Sequence, residues 1–207
     1  MGAPPVVVET VSHEEPDPAG AALPFGRAVG LGLHHIASGL DHVLFVLGLL
    51  LVARRLRDVA ILASVFTVAH SITLALAVFG ALTLSSAIVE PLIALSLVAV
   101  AVEALASRST EPSVRRVALV FAFGLLHGLG FAGGLTELNL ERSALGWTLA
   151  GFNLGVELGQ LTVAAVGFGL LALTARQAWH RPRVVVPLGV FIAALGLYWT
   201  VERVITA

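Results

Sequence analysis

Histidine and carboxylate are the side chains in this 207-residue sequence best suited to hold a metal or move a proton near neutral pH. There are seven His and thirteen Asp plus Glu, and no Cys. Without thiolates, metal chemistry falls to imidazole and carboxylate, which suit Ni²⁺, Co²⁺, Zn²⁺ or Fe²⁺; the single Met also disfavours Cu(I). The densest stretch is His34-His35-Ile36-Ala37-Ser38-Gly39-Leu40-Asp41-His42. On one continuous helix, residues seven apart share a face two turns apart, which pairs His34 with Asp41 and His35 with His42. His70 follows Thr67 and precedes Ser71 and Thr73, and His127 sits in Gly124-Leu125-Leu126-His127-Gly128-Leu129-Gly130. Asn153, Glu157 and Gln160 form an i, i+4, i+7 stripe. Glu90 precedes Pro91, and Glu103 comes later in the same apolar run.

The elements that carry these groups are apolar. The chain is 57% hydrophobic and 12% charged, with a mean hydropathy of +0.96, which points to lipid rather than water as the main solvent. Six runs approach the roughly 20 apolar residues that a spanning helix needs: 26–53, 58–80, 84–106, 116–137, 146–175 and 183–204. The expectation is an all-α, polytopic integral membrane protein with a six-helix transmembrane domain over 24–207. Residues 1–23 are rich in Pro and acid and show neither the basic n-region nor the h-region of a signal peptide, so they read as a flexible polar arm. The gap around Gly80–Ser85 is short and uncharged and predicts a tight hairpin.

Arginine supplies every basic side chain, since Lys is absent. Arg54, Arg55, Arg57, Arg108, Arg115, Arg116, Arg176, Arg181 and Arg183 fall in the odd-numbered gaps, against Arg27, Arg142 and Arg203 on the opposite side. By the positive-inside rule the odd gaps are cytoplasmic and both termini lie outside. The net charge of −1 excludes the clustered basic surface that nucleic acid requires.

An ionisable residue inside a span marks a functional site unless it merely hydrogen-bonds a neighbouring helix. Counting about 1.5 Å per residue puts His42, His70, His127 and Glu157, from four helices, near the bilayer midplane. His34, His35 and Glu90 fall nearer the outer face and Glu103 nearer the inner one, where pairing with Arg108 accounts for it. The metal ligands expected from these residues are His35, Asp41, His42, His70, His127 and Glu157. His34, Glu90, Asn153, Gln160 and Glu103 would line the pathway or orient the ligands. The His13-Glu14-Glu15 cluster reads as solvated tail, and His180 as a residue of the cytoplasmic interface.

Several longer stretches carry a resemblance to a known family. They are His35-Ile36-Ala37-Ser38-Gly39-Leu40-Asp41-His42-Val43-Leu44-Phe45, Phe66-Thr67-Val68-Ala69-His70-Ser71-Ile72-Thr73 and Val89-Glu90-Pro91-Leu92-Ile93-Ala94-Leu95-Ser96. Further on come Phe123–Ala132, Phe152–Gln160 and Tyr198-Trp199-Thr200-Val201-Glu202-Arg203. Over about 28–205 the sequence resembles the HupE/UreJ family of bacterial membrane proteins. The resemblance implies a permease or accessory protein for a divalent transition metal, nickel first and cobalt second, in the bacterial inner membrane. It also implies that His35, Asp41 and His42 match the family's His-x5-Asp-His signature and that His127 matches its later His-Gly element. The nickel-permease branch has Pro where Ile36 stands and a second His in the later motif, so this chain resembles a more divergent branch.

The leading expectation is therefore a divalent-metal permease or metal-handling accessory protein. Its cargo would be Ni, Co or Zn, and uptake would weaken as pH falls through about 6.5 because ligand imidazoles must be neutral. One alternative is an intramembrane metal-dependent hydrolase, with Zn²⁺ on the histidines and Glu157 or Asp41 as general base. It has neither an HExxH nor a Gly-x-Ser-x-Gly motif behind it, and no catalytic residue is assigned. Another alternative is an accessory subunit of a larger membrane complex. The partners expected are lipid, the metal ion and either a second copy or that larger complex.

Overall fold

The computed structural model describes residues 23–53, 55–106, 113–131, 133 and 142–206. The expected N-terminal arm lies almost wholly outside them, as does Arg108. The described residues are helical, with no strand among them. Among the described residues seven α-helices follow in order: α1 (Phe25–Ser38), α2 (Leu40–Val52), α3 (Leu56–Val78), α4 (Ser86–Ala106), α5 (Val114–Gly130), α6 (Arg142–Ala172) and α7 (Val186–Thr206). A five-residue π-turn, Arg181–Val185, runs directly into α7.

Four segments are long and apolar enough to cross a membrane on their own: α3, α4, α6 and the continuous stretch Arg181–Thr206. α1 and α2 make a fifth when counted together. The fourth expected span, 116–137, corresponds to α5, which is described as helix for 17 residues. The chain is thus a multi-pass membrane protein of helices. Large apolar side chains such as Leu76, Ile88, Val102, Leu170, Leu197 and Val204 face outward, while His70, His127, Ser96, Thr148 and Gln160 are buried. That inversion suits a lipid surround, where polar side chains find partners only inside the bundle.

The first expected span is not one straight helix. It breaks at Gly39, and its halves meet at 71°. Gly39 has φ −82° and ψ 89°, outside the helical region, and donates its backbone N–H to the His35 carbonyl. α2 is apolar nearly all round and becomes the buried centre of the bundle. Its Phe45, Leu49 and Leu50 pack with Leu62 and Phe66 of α3, Leu97 of α4 and Ile192 of α7.

Close helix approaches set the remaining geometry. A Cβ at Gly32 of α1 would strike the Phe152 carbonyl of α6, and a Cβ at Gly155 would strike the Val29 carbonyl. The two backbones therefore touch with no side chain between them. α3 and α5 meet in the same way, with the His70 carbonyl and Thr73 Oγ1 against Gly128. The Thr73 hydroxyl donates to the Leu125 carbonyl at 2.7 Å across this seam. The expected turn after α3 is present, but α3 and α4 do not close on each other as a tight hairpin: α3 packs on α5 and α6, and α4 on α2, α5 and α7. Gly80, at φ +76°, lets Ala81 donate to the Leu76 carbonyl at 2.8 Å and Gly80 to that of Ala77 at 3.0 Å, a left-handed cap that stops the helix.

Helix direction is consistent with the arginine pattern. α3 runs parallel to α5, α1 parallel to α6, and α4 antiparallel to α7, as the successive pairs Gly124–Phe66 and Gly128–His70, Gly151–Ala28 and Gly155–Gly32, and Gly189–Leu105 and Gly196–Leu97 show. Arg181 donates to the Leu105 carbonyl at 2.9 Å, tying the start of the last span to the end of α4. Arg55, Arg57, Arg115, Arg116, Arg176, Arg181 and Arg183 thereby gather at one end of the bundle.

Candidate metal centre

Three imidazoles from three helices converge inside the bundle. His35 of α1, His42 of α2 and His70 of α3 each offer a ring nitrogen, and these nitrogens all lie within 4.8 Å of one another. The 71° bend is what brings the first two together. On a continuous helix, seven residues span about 10.5 Å of axis, yet the His35 and His42 ring centroids are 4.6 Å apart. A Cβ at Gly39 would lie 2.9 Å from His42 Nδ1 and 2.7 Å from the His35 carbonyl, so the absent side chain makes room for the convergence. His127 of α5 joins from the side, its ring centroid 4.9 Å from that of His42. Its Nδ1 lies 2.8 Å from the Phe123 carbonyl, a contact that makes Nδ1 the donor and leaves Nε2 as a lone pair.

Most of the ring nitrogens have no hydrogen-bond partner among the protein groups. This holds for Nε2 of His35 and His127 and for both nitrogens of His42 and His70, all of them buried. Buried polar atoms are nearly always paired, so several unpaired ones at a single place call for an explanation. Neutral imidazole lone pairs facing one another are a donor set for a transition-metal cation. A tetrahedral site with metal–nitrogen bonds of about 2.0–2.1 Å has edges of about 3.3 Å, within reach of small ring rotations here. Phe66, Phe131 and Phe152 pack around the rings: His35 lies 4.0 Å from Phe131 and 5.5 Å from Phe152, and His127 lies 4.9 Å from Phe66. This apolar collar limits water at the imidazoles.

The other expected site residues divide into those beside the trio and those elsewhere. A cavity of about 200 Å³ is lined by His35, Asp41, His42, Glu90, His127 and Arg203, among others. Asp41 does not pair with His34, as a straight first helix would have had it. The break at Gly39 takes the two residues onto different axes, His34 is exposed, and Asp41 Oδ2 accepts from Arg203 Nη2 at 2.9 Å. Glu90 is exposed at the cavity wall, and its backbone carbonyl accepts from Arg203 Nη1 at 3.1 Å.

Glu157 and Gln160 lie on the α3–α6 seam. Ser64 donates to Glu157 at 2.5 Å and Thr67 to Gln160 Oε1 at 3.1 Å. Glu157 is not among the groups whose ligand atoms converge with the three histidines. Asn153 approaches the His70 ring, while its Oδ1 remains buried without a partner. Glu103 meets Arg116 at 2.9 Å in a nearly buried ion pair, which gives it a structural partner across the gap between α4 and α5.

Sequence reasoning missed Arg203 as a site residue. The available signal was its position: an arginine on the arginine-poor side, within Tyr198–Arg203. A second cavity, of about 540 Å³, opens at the arginine-rich end beside Leu50, Phe168, Leu171 and Arg181, with His180 at its edge, away from the histidine trio.

The family model described as HupE / UreJ protein matches residues 13–203. The chain belongs to the HupE/UreJ family. No curated protein and no solved structure matches it. The HupE/UreJ match takes in all of the converging histidines and ends on Arg203, the cation in their cavity. The histidine group and the family together link the protein to a metal.

Proposed function

We propose that this protein is a divalent transition-metal permease of the bacterial inner membrane, with nickel or cobalt as cargo, bound on His35, His42 and His70. The observation that carries this reading is the set of buried, unpartnered ring nitrogens brought within 4.8 Å of one another. His127 supplies a fourth imidazole, and Asp41 supplies charge at the cavity wall. The trio lies within the lipid-spanning layer: His70 stands about 12 Å from the nearer end of α3, at about 1.5 Å per residue. The arginine-rich end is cytoplasmic by the positive-inside rule, and both termini lie outside. The cavity at Glu90 and Arg203 is then the outer approach. Phe45, Leu49 and Leu62 close the other side with apolar packing, which suits a permease that opens its two faces in turn.

The hydrolase alternative needs a carboxylate free to act as base beside the metal. Glu157 is bonded to Ser64 and is not among the groups that converge with the histidines, which weighs against it as that base and favours transport. The test is metal content by mass spectrometry of detergent-purified protein, alongside His42→Ala and His70→Ala, after loading with Ni²⁺, Co²⁺ or Zn²⁺. Near-stoichiometric metal that both variants lose is the expected result. Equal metal in all three proteins would remove the reading.

A further inference from the structure

One wall of the histidine cavity is an ion pair for which metal ligation alone gives no role. Arg203 donates from Nη2 to Asp41 Oδ2 at 2.9 Å and from Nη1 to the Glu90 carbonyl at 3.1 Å. Its guanidinium carbon lies 5.5 Å from the Trp199 ring centroid. The other carboxylate oxygen, Asp41 Oδ1, is buried and has no hydrogen-bond partner. Asp41 therefore commits half its carboxylate to a cation on the last helix and keeps the other half unpaired in the same cavity as His35, His42 and His127.

We propose that Arg203 is a tethered stand-in for the cargo. It balances Asp41 when the histidines are without metal and yields that carboxylate when a divalent cation enters. Metal affinity and release are then set by competition between a fixed monovalent cation and a mobile divalent one for a single carboxylate. The inference rests on the reading of the histidines as metal ligands and adds how that site is tuned.

Three features support it. Arginine stays charged at any physiological pH, so its competition never lapses. An anion left unbalanced at this depth is costly, so a resident countercharge keeps the cavity tolerable between cargoes. The Trp199 face and the Glu90 carbonyl give the guanidinium partners to hold when it leaves Asp41. The two side chains are 21% and 22% exposed, enough for the arginine to swing outward without crossing the core.

The experiment is equilibrium Zn²⁺ binding to the purified full chain, comparing wild type with Arg203→Gln, Arg203→Lys and His42→Ala. Trp199 emission is followed in parallel in a Trp147→Phe, Trp179→Phe background. Zinc is chosen because it does not quench fluorescence paramagnetically. Arg203→Gln binds about tenfold more tightly, and Arg203→Lys falls between wild type and Arg203→Gln, because it keeps the charge but loses the two-pronged fit. Zinc shifts Trp199 emission in the two-Phe background, and the shift vanishes when Arg203→Gln is added.

Wild-type affinity in Arg203→Gln, with binding still dependent on His42, overturns the proposal while sparing the metal site. So does an Arg203→Lys affinity equal to that of Arg203→Gln. Should Arg203→Gln fail to fold, an unchanged Trp199 emission on zinc saturation of the background protein is equally decisive against it. Zinc binding that ignores His42→Ala sinks the metal-site reading and this proposal together.

Discussion

His35 and His42 belong to different helices, yet their rings meet at 4.6 Å because the chain turns through 71° at Gly39 between them. Two turns of straight helix would hold the same residues about 10.5 Å apart along the axis. The bend converts a stripe into a convergence, and it places the burden of the site on a residue with no side chain.

Gly39→Ala accordingly weakens metal binding although it replaces no ligand. Alanine favours continuing the helix through position 39, and its methyl group meets His42 Nδ1. Zinc affinity falls about 10–100-fold, the range for disturbing what orients a ligand, while the protein still purifies as a folded species. Calorimetric titration measures the affinity, and binding equal to wild type would separate the bend from the site.

Gly128→Ala acts on the frame instead. Its Cβ would collide with the His70 carbonyl and Thr73 Oγ1, so α5 must move away from α3. The expected loss is about 1–3 kcal/mol, the usual range for overpacking, together with metal binding, since His70 and His127 flank that seam. Gly26→Ala, with nothing within 4 Å of its Cβ, is the matched control. A thermal unfolding series on the three proteins compares them, and equal midpoints would argue against a tight seam.

Glu103→Gln lowers stability and leaves metal binding intact. It takes one charged hydrogen-bond partner from Arg116, whose side chain is only 3% exposed, at a penalty of about 1.5–3 kcal/mol. A selective fall in zinc affinity, with an unchanged unfolding midpoint, would return Glu103 to the pathway.

Acid releases the metal. Protons and the cation compete for the same imidazole lone pairs, so occupancy is greatest at neutral pH and is lost on acidification. Equilibrium dialysis from neutral pH down to the acid limit of the folded protein measures this, and metal still fully bound at that limit would count against ligation by His35, His42 and His70.

Much of the frame is legible in the sequence because lipid imposes a simple rule: long apolar runs between arginine-bearing gaps become helices. α3, α4, α6 and the last span follow it. Each converging histidine is visible too, as a polar group that the apolar pattern does not explain. The break at Gly39 is not legible, because glycine is common in membrane helices and the apolar run continues past it. Partner choice is hidden as well. Asp41 finds Arg203 from the far end of the chain, where local spacing suggested His34, and Glu103 meets Arg116 across a gap. Such pairings depend on which helix faces which, and small residues such as Gly32, Gly128 and Gly155 decide that only after packing.

The placement of the cavity groups along the chain has a consequence for biosynthesis. His35, His42 and His70 all precede α4 in the chain. Arg203 comes later, on α7. During insertion the nascent protein therefore exposes its metal donors and Asp41 well before the residue that balances them. A cation captured at that stage would be folded in by the later helices, and α7 would dock against a site already charged.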